Sequence, residues 1–148
     1  MKKIFVLMSL IVFLFADILH ITSKKFYYDS TKLQSIFIGD VKAIKNKDKI
    51  FAKKMIVYFD KSKKPVKFEA IDNVKFILHD SNVTYQGYCD KLIYNFVTED
   101  ILLLGDAFVR KLETNESISA DKIKINRKNK TIEVLGDKKP VNIIIKVK

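Results

Sequence analysis

A dipeptide of the form Gly/Asp followed by Asp/Asn returns at a nearly constant interval along this chain: Gly39-Asp40, Asp72-Asn73, Gly105-Asp106 and Gly136-Asp137. Its second residue falls at 40, 73, 106 and 137, so the steps are 33, 33 and 31 residues. A repeat of this length, set between runs of β-branched and aromatic residues, predicts one short hairpin-like unit, turned at each dipeptide and stacked several times. A lone hairpin cannot bury its apolar face, whereas a row of hairpins builds one continuous core or groove.

A second element recurs between the dipeptides: Ser23-Lys24-Lys25-Phe26, Ala52-Lys53-Lys54-Met55, Cys89-Asp90-Lys91-Leu92 and Ala120-Asp121-Lys122-Ile123. Each is small-polar-Lys-apolar and begins a strand-like run such as Met55-Ile56-Val57-Tyr58. Two strands per unit over three to four units predicts roughly seven to nine strands.

Period-2 alternation supports strands from Phe26 onward: Val74, Phe76 and Leu78; Ile123 and Ile125; Val141, Ile143, Ile145 and Val147. Glycine and proline are scarce, 4 and 2 residues. Turns therefore fall to Asn46-Lys47-Asp48, Asp60-Lys61-Ser62, Asp80-Ser81-Asn82 and Lys128-Asn129-Lys130. Aligned on the dipeptide, Phe37, Ala70, Leu103 and Val134 share one position, and Phe68, Ile101 and Ile132 lie two residues earlier. Val41 with Ala43, Val74 with Phe76, and Ala107 with Val109 follow it. The position between the first two sets holds Ile36, Glu69, Leu102 or Glu133, so it is expected to face water and its neighbours to face inward.

A chain of 148 residues has room for one domain with a real core. Its net charge is +11, and all but Arg110 and Arg127 of the basic residues are lysines, densest from Lys42 to Lys64. Such a surface is either a solvated basic face or a diffuse field for anions; lysines favour weak point-charge contacts over bidentate clamping. At the N-terminus, Lys2 and Lys3 precede an uncharged run from Ile4 to Ala16 in which only Ser9 is polar. That is the pattern of a secretory signal peptide over residues 1–16, cut at Ala16-Asp17. Leu14 is large for the −3 position, so an uncleaved anchor continuing through Ile18, Leu19 and Ile21 is the alternative. A buried core helix is the bland reading. Export followed by a single domain over 23–148 is the expectation. The one cysteine, Cys89, forms no internal disulfide and is expected to be a small buried hydrophobe, with neither His20 nor His79 near it in sequence.

The ordered series Gly39-Asp40-Val41, Ala52-Lys53-Lys54-Met55-Ile56-Val57-Tyr58 and Glu69-Ala70-Ile71-Asp72-Asn73-Val74-Lys75-Phe76 resembles the LptA/OstA-like family of periplasmic lipopolysaccharide-transport proteins. Lys91-Leu92-Ile93-Tyr94, Leu104-Gly105-Asp106-Ala107 and Gly136-Asp137-Lys138-Lys139-Pro140-Val141 continue the likeness, which spans Ser23 to Val147. Asp72 departs from it, standing where the family often has glycine. The resemblance implies an all-β fold, an open antiparallel β-jellyroll of two sheets set as a V around an apolar interior. It also implies a periplasmic carrier or bridge that moves lipopolysaccharide from the inner to the outer membrane, with no catalysis, no cofactor and no metal. The LptC-like sister family shares the fold but keeps an N-terminal membrane anchor, and is the alternative.

An acylated lipid crosses water only if its methylenes stay covered, at about 0.8 kcal/mol each. An apolar trough does this while leaving the sugar headgroup outside. The candidate lining residues are Phe37, Val41 and Val57, then Phe68, Val74 and Phe76, then Leu92, Tyr94 and Leu103, and finally Ile123, Ile125, Val134, Ile143 and Ile145. Each could equally fill a closed core. The candidate partner edges are Phe26 and Tyr28 at one end and Val141, Ile143 and Ile145 after the Pro140 break at the other. Strand addition there would join LptC-like and LptD-like partners or further copies head to tail. Lys138, Lys139, Lys146 and Lys148 flank the last run, where edge lysines also guard against unwanted pairing.

Other functions are less well supported. There is no glycine-rich phosphate loop, no nucleophile with a nearby histidine and no ligand cluster with usable spacing. Basic β-surfaces with aromatics do bind single-stranded nucleic acid, but no such motif is present and an export signal points away from it. A structural or glycan-binding β-repeat protein is the remaining competitor.

Overall fold

The computed structural model describes residues 18–148, which form ten strands and no helix. The expected signal at residues 1–16 and its cleavage point lie outside the described residues. The strands are β1 (Leu19–Thr22), β2 (Lys25–Asp29), β3 (Gln34–Lys45), β4 (Asp48–Phe59), β5 (Pro65–Asp80), β6 (Val83–Asn95), β7 (Asp100–Lys111), β8 (Glu116–Asn126), β9 (Thr131–Leu135) and β10 (Asn142–Ile144). They pair antiparallel in the open order β1-β3-β4-β5-β6-β7-β8-β10, with β2 also on β3 and β9 also on β8. β1 lies N-terminal to Ser23, where the sequence suggested the domain would start.

The repeat is present, but its dipeptide does not end strands as expected. Gly39-Asp40 lies within β3, Asp72-Asn73 within β5 and Gly105-Asp106 within β7, and at each the register slips. All six residues have positive φ: 89° and 44°, 68° and 51°, 79° and 48°. Across each pair stands a single residue, Lys53, Asp90 or Asp121. Two residues against one is a β-bulge, which bends a strand and tightens its twist. The small-polar-Lys-apolar element is thus the other side of the same bulge. Two successive polar residues sit outside the bend, while Ala52, Cys89 or Ala120 is buried within it. The hairpin reversals come at the polar turns instead, Asn46-Lys47, Ser81-Asn82 and Arg127–Lys130 among them.

A line of bulges therefore folds one continuous sheet into two half-sheets, the open antiparallel β-jellyroll. At both edges the outermost strand breaks on this line. β1 and β2 cover the two halves of β3, with the Lys24 N–H donating to the Gly39 carbonyl at 3.0 Å. β9 and β10 cover the two halves of β8. Gly136-Asp137 is this second break, following β9, and Gly136 lacks the positive φ of the other repeat glycines. Counting the split edge strands separately gives ten strands, against the seven to nine expected.

The inner faces meet in one core. Val57, Phe68, Leu92, Leu103 and Ile123 come from the half-sheet of β2 and β9; Val41, Ala43, Val74, Phe76 and Val109 come from that of β1 and β10. The expectation that Ile36 and Glu69 face water is wrong for both, each being only 7% exposed. Ile36 pairs with Ile56 and Ile56 with Glu69, so these outer residues cover one another. The Glu69 carboxylate accepts the Tyr58 hydroxyl at 2.8 Å, with the Lys67 and Lys91 ammoniums at 3.6 and 3.9 Å. Burial, then the hydrogen bond to Glu69 and its charge, pushes the Tyr58 hydroxyl up to about 12.

Candidate binding groove

Most of the candidate lining residues lie in the interior. Val41, Val57, Phe68, Val74, Leu92 and Leu103 are buried, and Phe37 and Val134 are half-buried against the same core. Tyr94 is buried beside the polar turns at the free ends of the half-sheets. Phe76, Ile123, Ile125, Ile143 and Ile145 differ: they meet around a cavity of about 520 Å³ between the half-sheets toward the C-terminal edge. Ile143 and Ile145 form its lip, 50% and 66% exposed.

The sequence reading missed Leu78, Tyr85, Ile101, Val109 and Ile118, which complete the apolar wall. A signal for them was present. Residues 33 positions apart are repeat equivalents, so Ile101 stands where the preceding unit has Phe68, and Val109 where it has Phe76. Two rings become two smaller side chains, and the cavity lies against both. Gly87 makes room beside it: a Cβ there would meet the Phe108 carbonyl at 2.0 Å and the Phe76 ring at 2.6 Å. The Phe76 ring can therefore approach β6 closely at its cross-strand partner Gly87.

The rim is polar and mixed in charge, with Lys111, Glu116, Arg127 and Lys130 among its residues. Glu116 accepts the Lys146 N–H at 3.2 Å, which ties the segment after β10 to β8. The Thr114 hydroxyl, followed by that N–H, holds the Glu116 carboxyl below its ordinary value. Arg127, also missed, was legible as one of only two arginines in a lysine-rich chain. Its guanidinium donates to Asp48 Oδ2 and to the His79 carbonyl, both at 3.1 Å.

At the edges, β2 exposes Phe26 and Tyr28, with the Phe26 ring 4.9 Å from that of Phe37 and the Tyr28 ring 6.3 Å from that of Phe59. The C-terminal run enters a strand only over Asn142–Ile144, leaving Val141 and Ile145 outside it. Cys89 is buried opposite Val74, five residues along β5 from His79, and burial pushes its thiol up to about 12, far from a reactive thiolate. Among the described residues no group of three His, Cys, Asp or Glu side chains could hold a metal ion. What the site offers is an apolar wall with a charged rim.

A protein-family model described as "LptA/(LptD N-terminal domain) LPS transport protein" matches residues 20–131. No curated protein matches the chain. Among solved structures, the fold matches the crystal structure of LptH, the LptA-homologous periplasmic component of the conserved lipopolysaccharide transport device from Pseudomonas aeruginosa. The two share 11% identity over 87% of this chain and 95% of that one, with a TM-score of 0.76.

Proposed function

The chain belongs to the LptA/LptD N-terminal-domain family of lipopolysaccharide transport proteins, and on that premise we propose that it is a periplasmic carrier moving lipopolysaccharide toward the outer membrane along its groove. Residues 1–16 direct export, and the β-domain carries the cargo. The observation that supports this reading most directly is the cavity of about 520 Å³, walled by Ile101, Val109, Ile118 and Ile123 and open past Ile143 and Ile145. Acyl chains entering it leave water at about 0.8 kcal/mol per methylene, while the headgroup stays at the rim. Lysines there and across the basic surface attract its anionic groups without clamping them, as a cargo in transit requires.

The open edges supply the bridge. Phe26 and Tyr28 on β2 and the Val141–Ile145 segment present unpaired strand sides, suited to strand addition with an LptC-like partner, an LptD-like partner or another copy. Because opposite ends differ, copies would add head to tail.

Photocrosslinking tests the cargo path. Probes replacing Phe76 or Ile123 should capture lipopolysaccharide, and a probe at outward Lys75 should not. Val109→Phe, which restores the ring of the preceding repeat, should cut the yield about tenfold if it excludes roughly two methylenes. Equal capture at Lys75 and Phe76, or no effect of Val109→Phe, would overturn the groove assignment.

A further inference from the structure

The free ends of the two half-sheets are joined by a side-chain contact that neither half makes alone. Arg127, in the turn after β8, reaches across the open seam to Asp48 at the start of β4 and His79 near the end of β5. Asp48 completes a ring, since its Oδ1 accepts the His79 N–H at 2.8 Å. The Arg127 backbone is itself held, its N–H donating to the Glu99 carbonyl at 3.0 Å, so the side chain projects from a fixed base. Arg127 and Asp48 side chains are 21% and 13% exposed, dry enough for the pair to resist screening by salt. Beside them the Lys45 ammonium lies 5.5 Å from the centre of the Tyr94 ring, a second contact between the halves.

Three spaces converge on this ring. Arg127 lines both the apolar groove and a polar pocket of about 510 Å³ at the turns. Asp48 and Tyr94 line that pocket and also a small apolar one, with Ile50 in its wall, toward the N-terminal edge. Leu78 stands between the groove and the small pocket, in the wall of both. We propose that Arg127 and Asp48 form a latch, whose release joins the groove to the small pocket on the N-terminal side.

The latch rests on the groove being the cargo path, but its test does not need the cargo. In a Cys89→Ala background, Ile50→Cys places a thiol behind the latch and Ile123→Cys places one in the groove. An apolar naphthyl maleimide reports access to each. Arg127→Gln and Asp48→Asn should each label Ile50→Cys about tenfold faster, equivalent to about 1.4 kcal/mol of lost closure, and leave Ile123→Cys unchanged. The double variant should be no faster than either single one, because both break the same contact. Arg127→Lys keeps the charge but loses the fork that reaches Asp48 and His79 together, so its rate should fall between. An unchanged rate at Ile50→Cys, a parallel rise at Ile123→Cys, additive effects, or wild-type behaviour of Arg127→Lys would each overturn the latch. Failure of lipopolysaccharide to crosslink would instead overturn the function and leave the labelling result standing.

Discussion

The repeat around Asp72-Asn73 and the one around Gly105-Asp106 carry the same bulge and the same inward parity, yet one is solid and the other hollow. In the first, Phe68 and Phe76 are buried, 2% and 1% exposed; Phe68 fills the space between the half-sheets and Phe76 backs the cavity of the next repeat. In the second, Ile101 and Val109 occupy the same positions beside a cavity. The bulge therefore sets the architecture, and side-chain volume at two inward positions decides whether a repeat is core or container. The sharpest way to break this comparison is to remove the same kind of contact from each. Phe68→Ala opens a void in packed surroundings and should cost about 3–5 kcal/mol. Val109→Ala, beside a space that exists already, should cost roughly 1–2 kcal/mol. Urea unfolding of both variants measures the difference, and equal costs would show that the two repeats are packed alike.

The bulges themselves offer a second contrast. Two of the three begin with glycine and the third with Asp72, yet φ at Asp72 is 68°, in the same left-handed region as Gly39 and Gly105. The departure from the family pattern changed the residue and kept the conformation. Asp tolerates that region better than most residues but still carries strain that glycine does not. Gly105→Ala would import the strain and also push against the Asp90 carboxylate, whose Oδ2 lies 2.4 Å from where the Cβ would stand. It should lower stability by about 1–2 kcal/mol. Asp72→Gly should raise stability by less than about 1 kcal/mol, the strain relieved being partly offset by the freer unfolded chain. Thermal unfolding of the pair checks the signs; a destabilising Asp72→Gly would mean that the aspartate side chain supports its bulge in some further way.

These contrasts also mark how far the sequence could be read. The 33-residue period, the strands and the inward parity of Val74, Phe76, Ile123 and Ile125 follow from local pattern, because period 2 is a property of the strand itself. Whether Gly39-Asp40 ends a strand or bends it depends on what lies across it, and Lys53 is 13 residues away in sequence. For the same reason Ile36 and Glu69 face outward yet are covered: alternation assigns a face, but only the neighbours, Ile56 for Ile36 and Tyr58, Lys67 and Lys91 for Glu69, decide whether that face is wet. The groove was half legible. Its rear wall, Phe76 and Ile123, is on the inner face by parity, whereas the void itself is a missing volume seen only when equivalent repeats are compared. Arg127 was invisible as a latch because its partners Asp48 and His79 are 79 and 48 residues distant.

The smallest effect separates the two broken edges. At the N-terminal break the Lys24 N–H bonds a backbone carbonyl, that of Gly39, and an exposed Lys24–Asp40 ion pair adds little. At the C-terminal break the Asp121 carboxylate accepts the Asp137 and Lys139 N–H groups at 2.7 and 2.9 Å, and Lys139 also pairs with Asp106. The Lys139 N–H, then that of Asp137, lowers the pKa of Asp121 below its ordinary value. A depressed carboxyl adds stability that is present above its unfolded pKa of about 3.9 and is lost as pH falls through the lower folded value. Acidification below pH 4 or so should therefore loosen the β9–β10 connection first. The amide exchange of Asp137 and Lys139, followed by NMR and corrected for the intrinsic pH dependence of exchange, should lose protection there while Lys24 keeps its own. Asp121→Asn should remove the pH dependence, because an amide oxygen does not titrate in that range. If Lys24 loses protection in step with Asp137, the two edges are held alike, and the carboxylate is not what distinguishes the C-terminal one.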